Sequence, residues 1–261
     1  MNLKLVYFSP THTSEKIAKS IAEGMKIKDY EIFDITHPID GNVEMKEDDL
    51  TIFAVPTYGG RIPPVAVERL KLIKGKNTPS IIIALFGNMN QGDSLLELRD
   101  IVISQKFHPL AGAFFIGEHS FITKKYSVAL GRPDESDLKK ARNFGAEIIS
   151  RMSSLTKNNE KLSVPGDFPY KPLKSGNPVA PTTDENLCTL CGHCIEVCPV
   201  DAISKVNDKI ITDANICIKC CACVKECPEN ARVFDFSDNM AKILYERNGG
   251  KRKEPELFFL S

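Results

Sequence analysis

Nine cysteines lie in the 261-residue chain, all between Cys188 and Cys227, and their spacing forms a repeat. The segments NLCTLCGHCIEVCPVDAI and NICIKCCACVKECPENAR start 29 residues apart, at Asn186 and Asn215, and each contains CxxCxxCxxxCP. The thiolate is the form of cysteine that ligates metal, and three cysteines at this spacing, closed by a fourth before proline, suit a loop wrapped around a cubane 4Fe-4S cluster. Zinc sites favour two separated CxxC pairs instead. A disulfide framework needs an oxidising compartment and an even count, so it fits an odd set poorly.

This constellation resembles the bacterial two-cluster ferredoxins over residues 182–236, with eight ligand positions and both following prolines, Pro199 and Pro228, in place. In those proteins the fourth cysteine of each run points away from its own loop and ligates the other cluster. The resemblance implies one cluster on Cys188, Cys191, Cys194 and Cys227, and a second on Cys198, Cys217, Cys220 and Cys223. Cys221 is left over, at the position of Gly192 in the first repeat; it is expected to be a small apolar filler, or a weak donor tuning a cluster sulfur. His193 is expected on the solvated rim of a ligand loop. Residues 182–236 carry nine acidic and five basic side chains, which suits an acidic face for basic redox partners and equally a merely solvated surface.

The elements that carry these loops are legible in the periodicity. From residue 3 to about 154, β-rich runs at 3–8, 30–35, 50–55, 80–86 and 110–116 alternate with the helical patterns SEKIAKSIAEGM, VAVERLKLI, DSLLELRDIVISQ and ESDLKKARNFGAEIISRM. Such alternation predicts an α/β doubly wound parallel sheet over residues 1–154. Residues 155–181, with five prolines, read as an extended connector that Phe168, Tyr170 and Leu173 can anchor to either neighbour. A small α+β cluster-binding domain at 182–236 follows. Residues 237–261 are expected to form a short helix, with Ser237 or Asp238 as N-cap and Gly249 as its stop, and a tail whose Phe258, Phe259 and Leu260 dock back on the protein.

In a doubly wound sheet, ligands bind beyond the carboxyl ends of the strands, where the strand order reverses. The loop SPTHTSE after the first strand resembles the S/T-x-T-G-x-T phosphate loop of the flavodoxins, which implies FMN. The residues carried over are Ser9, Thr11, His12, Thr13 and Ser14, with His12 in place of glycine and Pro10 lacking an amide to donate. Simple capping of the helix by Thr13 or Ser14 accounts for the hydroxyls as well. The same resemblance assigns the flavin edge to Pro56, Thr57, Tyr58, Gly59 and Gly60, with Tyr58 stacking on the ring. It assigns the pyrimidine edge to Gly87, Asn88, Met89, Asn90, Gly92 and Asp93; Gln91 stands where many relatives have tyrosine, which leaves ring coverage there to Met89 or incomplete. Glu118, His119 and Ser120 follow the fifth strand and line either the flavin site or the way to the clusters, or form an ordinary polar loop.

Taken in order, the chain resembles anaerobe-type ferredoxin proteins with an N-terminal flavodoxin-like domain. The resemblance implies FMN and two 4Fe-4S clusters in one polypeptide, relaying electrons between them and exchanging them with redox proteins as donor and acceptor. A flavoenzyme fed by ferredoxin, and a redox or oxygen sensor, are the competing readings. Equal counts of 34 basic and 34 acidic residues argue against nucleic acid and membrane surfaces as partners. The N-terminus shows no signal-peptide pattern, which with the cysteine usage predicts a cytoplasmic protein. Monomer and homodimer are both left open. No GxGxxG follows a strand, so reduction by a separate protein is expected rather than NAD(P)H oxidation here.

Overall fold

Apolar runs long enough to be covered on both faces build the centre of the fold. The computed structural model describes residues 2–120, 126–155, 160–173, 178–234, 242–249 and 251–260. In chain order the first part comprises β1 (Asn2–Tyr7), α1 (Thr13–Gly24), β2 (Tyr30–Asp34), β3 (Val43–Glu44), β4 (Asp49–Pro56), α2 (Pro64–Leu70), β5 (Ile73–Lys74), β6 (Thr78–Phe86), α3 (Ser94–Ser104), β7 (Phe107–Ile116) and α4 (Glu135–Leu155). The parallel strands run in the order β2-β1-β4-β6-β7, which is the flavodoxin-like 2-1-3-4-5 order, with the reversal between β1 and β4. Registers such as Leu5 opposite Ile52 and Ile52 opposite Ile81 keep apolar residues facing the same layers.

Ile17, Ile21, Phe115, Phe144 and Ile148 pack in the layer under α1 and α4, while Phe8, Phe53, Leu95, Leu98 and Phe114 fill the opposite face. Helices α1 and α4 cross so closely that a Cβ on Gly24 or Gly145 would fall 1.8 or 2.1 Å from the carbonyl oxygen of Arg142 or Ile21. The helix expected to run to residue 73 ends at Leu70, because Ile73 is buried and pairs as a strand with Val43.

Residues 178–234 contain β8 (Thr182–Thr183), α5 (His193–Glu196), β9 (Ile203–Val206), β10 (Lys209–Thr212), α6 (Ala222–Lys225) and β11 (Arg232–Val233). β9 and β10 form one antiparallel pair, β8 and β11 another. Both short helices start from a left-handed residue, Gly192 at φ 83° and Cys221 at φ 62°. The repeat thus demands the same backbone twice, and only the first copy meets it with glycine.

Among the described residues, polar contacts join the two parts. Arg69 Nη2 donates to Pro199 O (2.6 Å), Lys225 Nζ to Glu118 Oε1 (2.7 Å) and Ser120 Oγ to Cys220 O (3.4 Å), and His12 Nε2 lies 3.2 Å from Glu226 Oε1. The connector is pinned by Asp93, whose carboxylate accepts from the amides of Asp167 (3.0 Å) and Lys171 (2.7 Å), and by Tyr170, which donates to Asp100 (2.8 Å). Phe168 is exposed and touches the Tyr170 ring edge-on. Past residue 250 the chain returns as β12 (Glu256–Phe259), antiparallel to β7, and Leu260 is buried. The expected helix caps Ser237 and Asp238 lie outside the described residues. Among the described residues, no helix is long and apolar enough to cross a membrane.

Candidate functional site

Beyond the carboxyl ends of β1, β4, β6 and β7 lies a cavity of about 480 Å³, a size that suits a cofactor. The loop after β1 forms one end of it with Ser9, Pro10, Thr11, Thr13 and Ser14. Ser9 is fixed from both sides: its amide donates to Thr36 Oγ1 (2.8 Å) and its hydroxyl accepts from the amide of Glu15 (3.0 Å). The amides of Thr13 and Ser14, first in α1, have no intrahelical acceptor. With the nearby hydroxyls they make an anion cradle at the positive end of a helix. His12 is not in the wall. It adopts the left-handed geometry that glycine would permit, at φ 60°, and its ring turns to Glu15 (2.9 Å) and Glu226 (3.2 Å). The bond to Glu15 leads the interactions that raise the imidazole pKa.

Pro56, Thr57, Tyr58 and Gly59 form the next wall. Tyr58 and Arg61 exchange backbone hydrogen bonds of 2.8 and 3.2 Å across Gly59 and Gly60, both at positive φ, as in a type I′ turn. Gly60 stays behind the wall, where its carbonyl accepts from the Asp93 amide (2.8 Å) and its backbone meets Gly92. A Cβ on Gly92 would lie 2.3 Å from Gly60 O, so the second and third loops are locked together through two missing side chains.

Of the third loop, only Gly87 lines the cavity. Asn88 is buried and clamps the tail, donating to Lys251 O (2.8 Å) and accepting from the Lys253 amide (3.1 Å). Met89 offers its carbonyl to Lys253 Nζ (2.6 Å), Asn90 accepts from the Gly92 amide (2.9 Å), and Asp93 holds the connector. Asn88, Met89, Asn90, Gly92 and Asp93, expected at the pyrimidine edge, therefore do not line the cavity: the tail holds Asn88 and Met89, Asn90 bonds within its own loop, and Asp93 holds the connector.

Gly117, Glu118, His119 and Ser120 do line the cavity, and His119 packs where a Cβ on Gly87 would have to go, 2.7 Å from His119 Cδ2. Burial, with Lys225 adding its charge, pulls the His119 pKa down to about 4, so the ring is neutral at ordinary pH. The remaining wall comes from Leu85, Phe86, Lys171, Pro172 and Leu173, and from Ile218 and Lys219. None of these seven was expected at a ligand site. Only Leu173 carried a signal, as an apolar residue in the proline-rich connector.

The cysteines separate into two cages. Cys188, Cys191, Cys194 and Cys227 line one cavity; Cys198, Cys217, Cys220 and Cys223 line another, with Cys221 beside them. Backbone amides already point at sulfur, from Ala202 to Cys198 (3.3 Å), Ala231 to Cys227 (3.2 Å) and Lys219 to Cys217 (3.4 Å). Two fours of thiols with backbone donors on their sulfurs fit a pair of iron–sulfur clusters. Among the described residues, no group of three or more His, Cys, Asp or Glu side chains could hold a single metal ion.

The second cage abuts the large cavity through Ile218 and Lys219. Tyr58 stands at that boundary: desolvation, followed by the charges at Cys220, Cys221 and Cys217, pushes its phenol pKa well above the usual range. Cys221 is buried, with its thiol facing Lys219 O (3.7 Å) and its pKa pushed up to about 12 mainly by that burial. At the matching place in the first repeat, Gly192 has open space around it.

Residues 181–204 match the family described as 4Fe-4S binding domain. No curated protein matches the chain. Among solved structures it is similar to a flavodoxin from the domain Archaea, at 12% identity over 59% of this chain and 99% of that one, with a TM-score of 0.37. The flavodoxin of Streptococcus pneumonia TIGR4 is 14% identical over 58% of this chain and 99% of that one (TM-score 0.41). Rubredoxin oxygen:oxidoreductase from the anaerobe Desulfovibrio gigas is 18% identical over 60% of this chain and 37% of that one (TM-score 0.42). In architecture, then, the chain joins a doubly wound α/β domain of flavodoxin-like strand order to a ferredoxin-type unit with a 4Fe-4S binding domain.

Proposed function

We propose that this chain is an electron-transfer protein that holds FMN in the large cavity and a 4Fe-4S cluster in each cysteine cage, and exchanges electrons with separate redox proteins. The observation that carries the reading is the shared wall: the ligand loop of the second cage, at Ile218 and Lys219, closes the cavity that opens at the strand reversal. FMN supplies a centre that takes one or two electrons, and a cluster supplies one that takes a single electron.

The chain's own residues do the rest. The amides of Thr13 and Ser14 would bind the phosphate, and Tyr58 and Gly59, held by the locked turn, would face the bound cofactor. Leu85, Phe86 and Leu173 keep water out. His119, neutral because it is buried, adds no charge beside the cofactor. Arg69 and Lys225 hold the two parts in register, so transfer between them does not wait for diffusion. Access supports an outside partner at the first cage: Cys191 is exposed, whereas Cys198, Cys220 and Cys223 of the second are buried.

Anaerobic reconstitution with FMN, iron and sulfide, followed by metal and flavin analysis and a spectroelectrochemical titration, tests the proposal. One FMN and about eight irons per chain are expected for two cubane clusters. A chain that takes up no flavin, or only one cluster's worth of iron, overturns it.

A further inference from the structure

Position 232 breaks the internal repeat. The first copy ends in CPVDAI and the second in CPENAR, so Arg232 stands where Ile203 stands 29 residues earlier. Ile203 is a core residue, 4% exposed, and Arg232 is just as deeply buried at 3%. Among the described residues its guanidinium reaches neutral oxygens and one sulfur: Nη1 donates to Thr183 Oγ1 (2.5 Å), and Nη2 faces Pro181 O (3.0 Å), Thr212 Oγ1 (2.6 Å) and Cys223 Sγ (3.8 Å). Nε, also buried, has no partner at all. Among the described residues no carboxylate pairs with this cation.

A buried guanidinium is costly without a counter-charge, and clusters in the two cages would supply one. The arginine sits where two such anions would meet. Arg232 is among the residues that line the first cage with Cys188, Cys194 and Cys227, while Cys223, Pro181 and Thr212, which its Nη2 contacts, line the second. Four thiolates outweigh the positive charge of a cubane core, so each occupied cage is a net anion, and net charge and hydrogen bonds to sulfur are two of the levers on its potential. What bears on both cages is the fixed positive charge between them, which lysine also carries.

The structure assigns Arg232 the role of a shared counter-ion: a positioning residue that sits between the two clusters and raises the reduction potential of both. Each cluster gains one negative charge when it accepts one electron from an external reductant, and a fixed cation in contact with both cages favours that reduced form. The assignment rests on the reading that both cages hold clusters.

The test uses the full chain, reconstituted anaerobically, with Arg232→Gln to remove the charge and Arg232→Lys to retain it. Iron per chain is counted first, and both midpoint potentials are then read by titration with dithionite followed by electron paramagnetic resonance. The glutamine variant is expected to keep its iron and to lower the equilibrium constant for reduction of each cluster at least tenfold, which is 59 mV for a one-electron couple. The lysine variant is expected within threefold of the original protein. Unmoved potentials in the glutamine variant, a shift at one cluster alone, or a lysine variant shifted as far as the glutamine one each overturn the assignment. If the glutamine variant holds no iron, the lysine variant decides: iron retained with near-original potentials supports the role of charge, and iron lost from both overturns it. An unsubstituted chain that binds no iron overturns the cluster reading itself, and does so before any variant is compared.

Discussion

Arg61 follows the glycine turn directly and ties three parts of the cavity wall together. Its Nε and Nη2 donate to the carboxylate of Glu97 at 2.8 and 2.6 Å, its Nη1 to Lys171 O at 2.8 Å, and its guanidinium lies 4.7 Å from the centre of the Tyr170 ring. Glu97 is almost fully buried, and among the described residues its other donor is the amide of Ile62, at 2.9 Å. Truncation in Arg61→Ala leaves that carboxylate in the interior with one hydrogen bond. Removing one partner of a buried pair costs about 3–5 kcal/mol; the surviving amide places this case near 3, and the lost ring contact adds up to about 1. For a folding unit of this size that lowers the melting temperature by roughly 10 °C, read by far-UV circular dichroism. Flavin affinity, read by fluorescence quenching, falls with it, because Lys171–Leu173 are released from the wall. The double variant Arg61→Met, Glu97→Leu removes both charges and recovers most of the loss. A single-variant cost under about 1 kcal/mol, or a double variant less stable than the single one, refutes the reasoning.

Cys221→Ser keeps the iron content of the parent, whereas Cys227→Ser loses the cluster of the first cage and about half the iron, as elemental analysis after reconstitution will show. Gly92→Ala forces a side chain into Gly60 O at a residue held at φ 55°; the backbone strain alone costs about 1–3 kcal/mol, and flavin affinity drops at least tenfold in a fluorescence titration. His119 titrates at about 4 in the folded chain against an ordinary 6.5, so the unfolded chain binds the extra proton between those values. Its stabilisation is complete above pH 6.5 and is lost as the pH falls toward 4, by at most about 3 kcal/mol. Urea midpoints across that range should slope less steeply in His119→Gln, and identical slopes would count against the neutral buried ring.

What the sequence disclosed depended on how local the signal was. The runs LTIFAV and SIIIALF are buried on both faces and announce central strands by themselves, and the fixed spacing of the cysteines picks out eight of the nine, while the exchange of Cys198 and Cys227 between the two sets follows from the resemblance and not from spacing. The helix that follows β1 is legible for the same reason, since a helix start is a local event, although its N-cap is His12 rather than Thr13 or Ser14. His12, Asn88 and Asp93 were misplaced for the opposite reason. Each has a polar group whose partner lies far along the chain, at Glu226, Lys251 and Lys171, and no local pattern states that pairing. The two-residue strands β3 and β5 escaped notice because a pair this short has no periodicity to detect. Arg69 and Arg232 are buried, and nothing in their local sequence marks them as other than ordinary charges.

β12 fills the outer edge of the sheet beside β7, yet the whole cysteine repeat lies between those two strands in the chain. Topologically the cluster-binding unit is an insertion into the first domain rather than an appendage to it. On the ribosome, β7 emerges with its edge open and remains so while residues 182–234 are made, and an open edge invites wrong pairing. The clamp of Asn88 on Lys251 and Lys253 forms only after that stretch has left the ribosome. The third cavity loop therefore gains its clamp only once the chain beyond the cysteine repeat has been made.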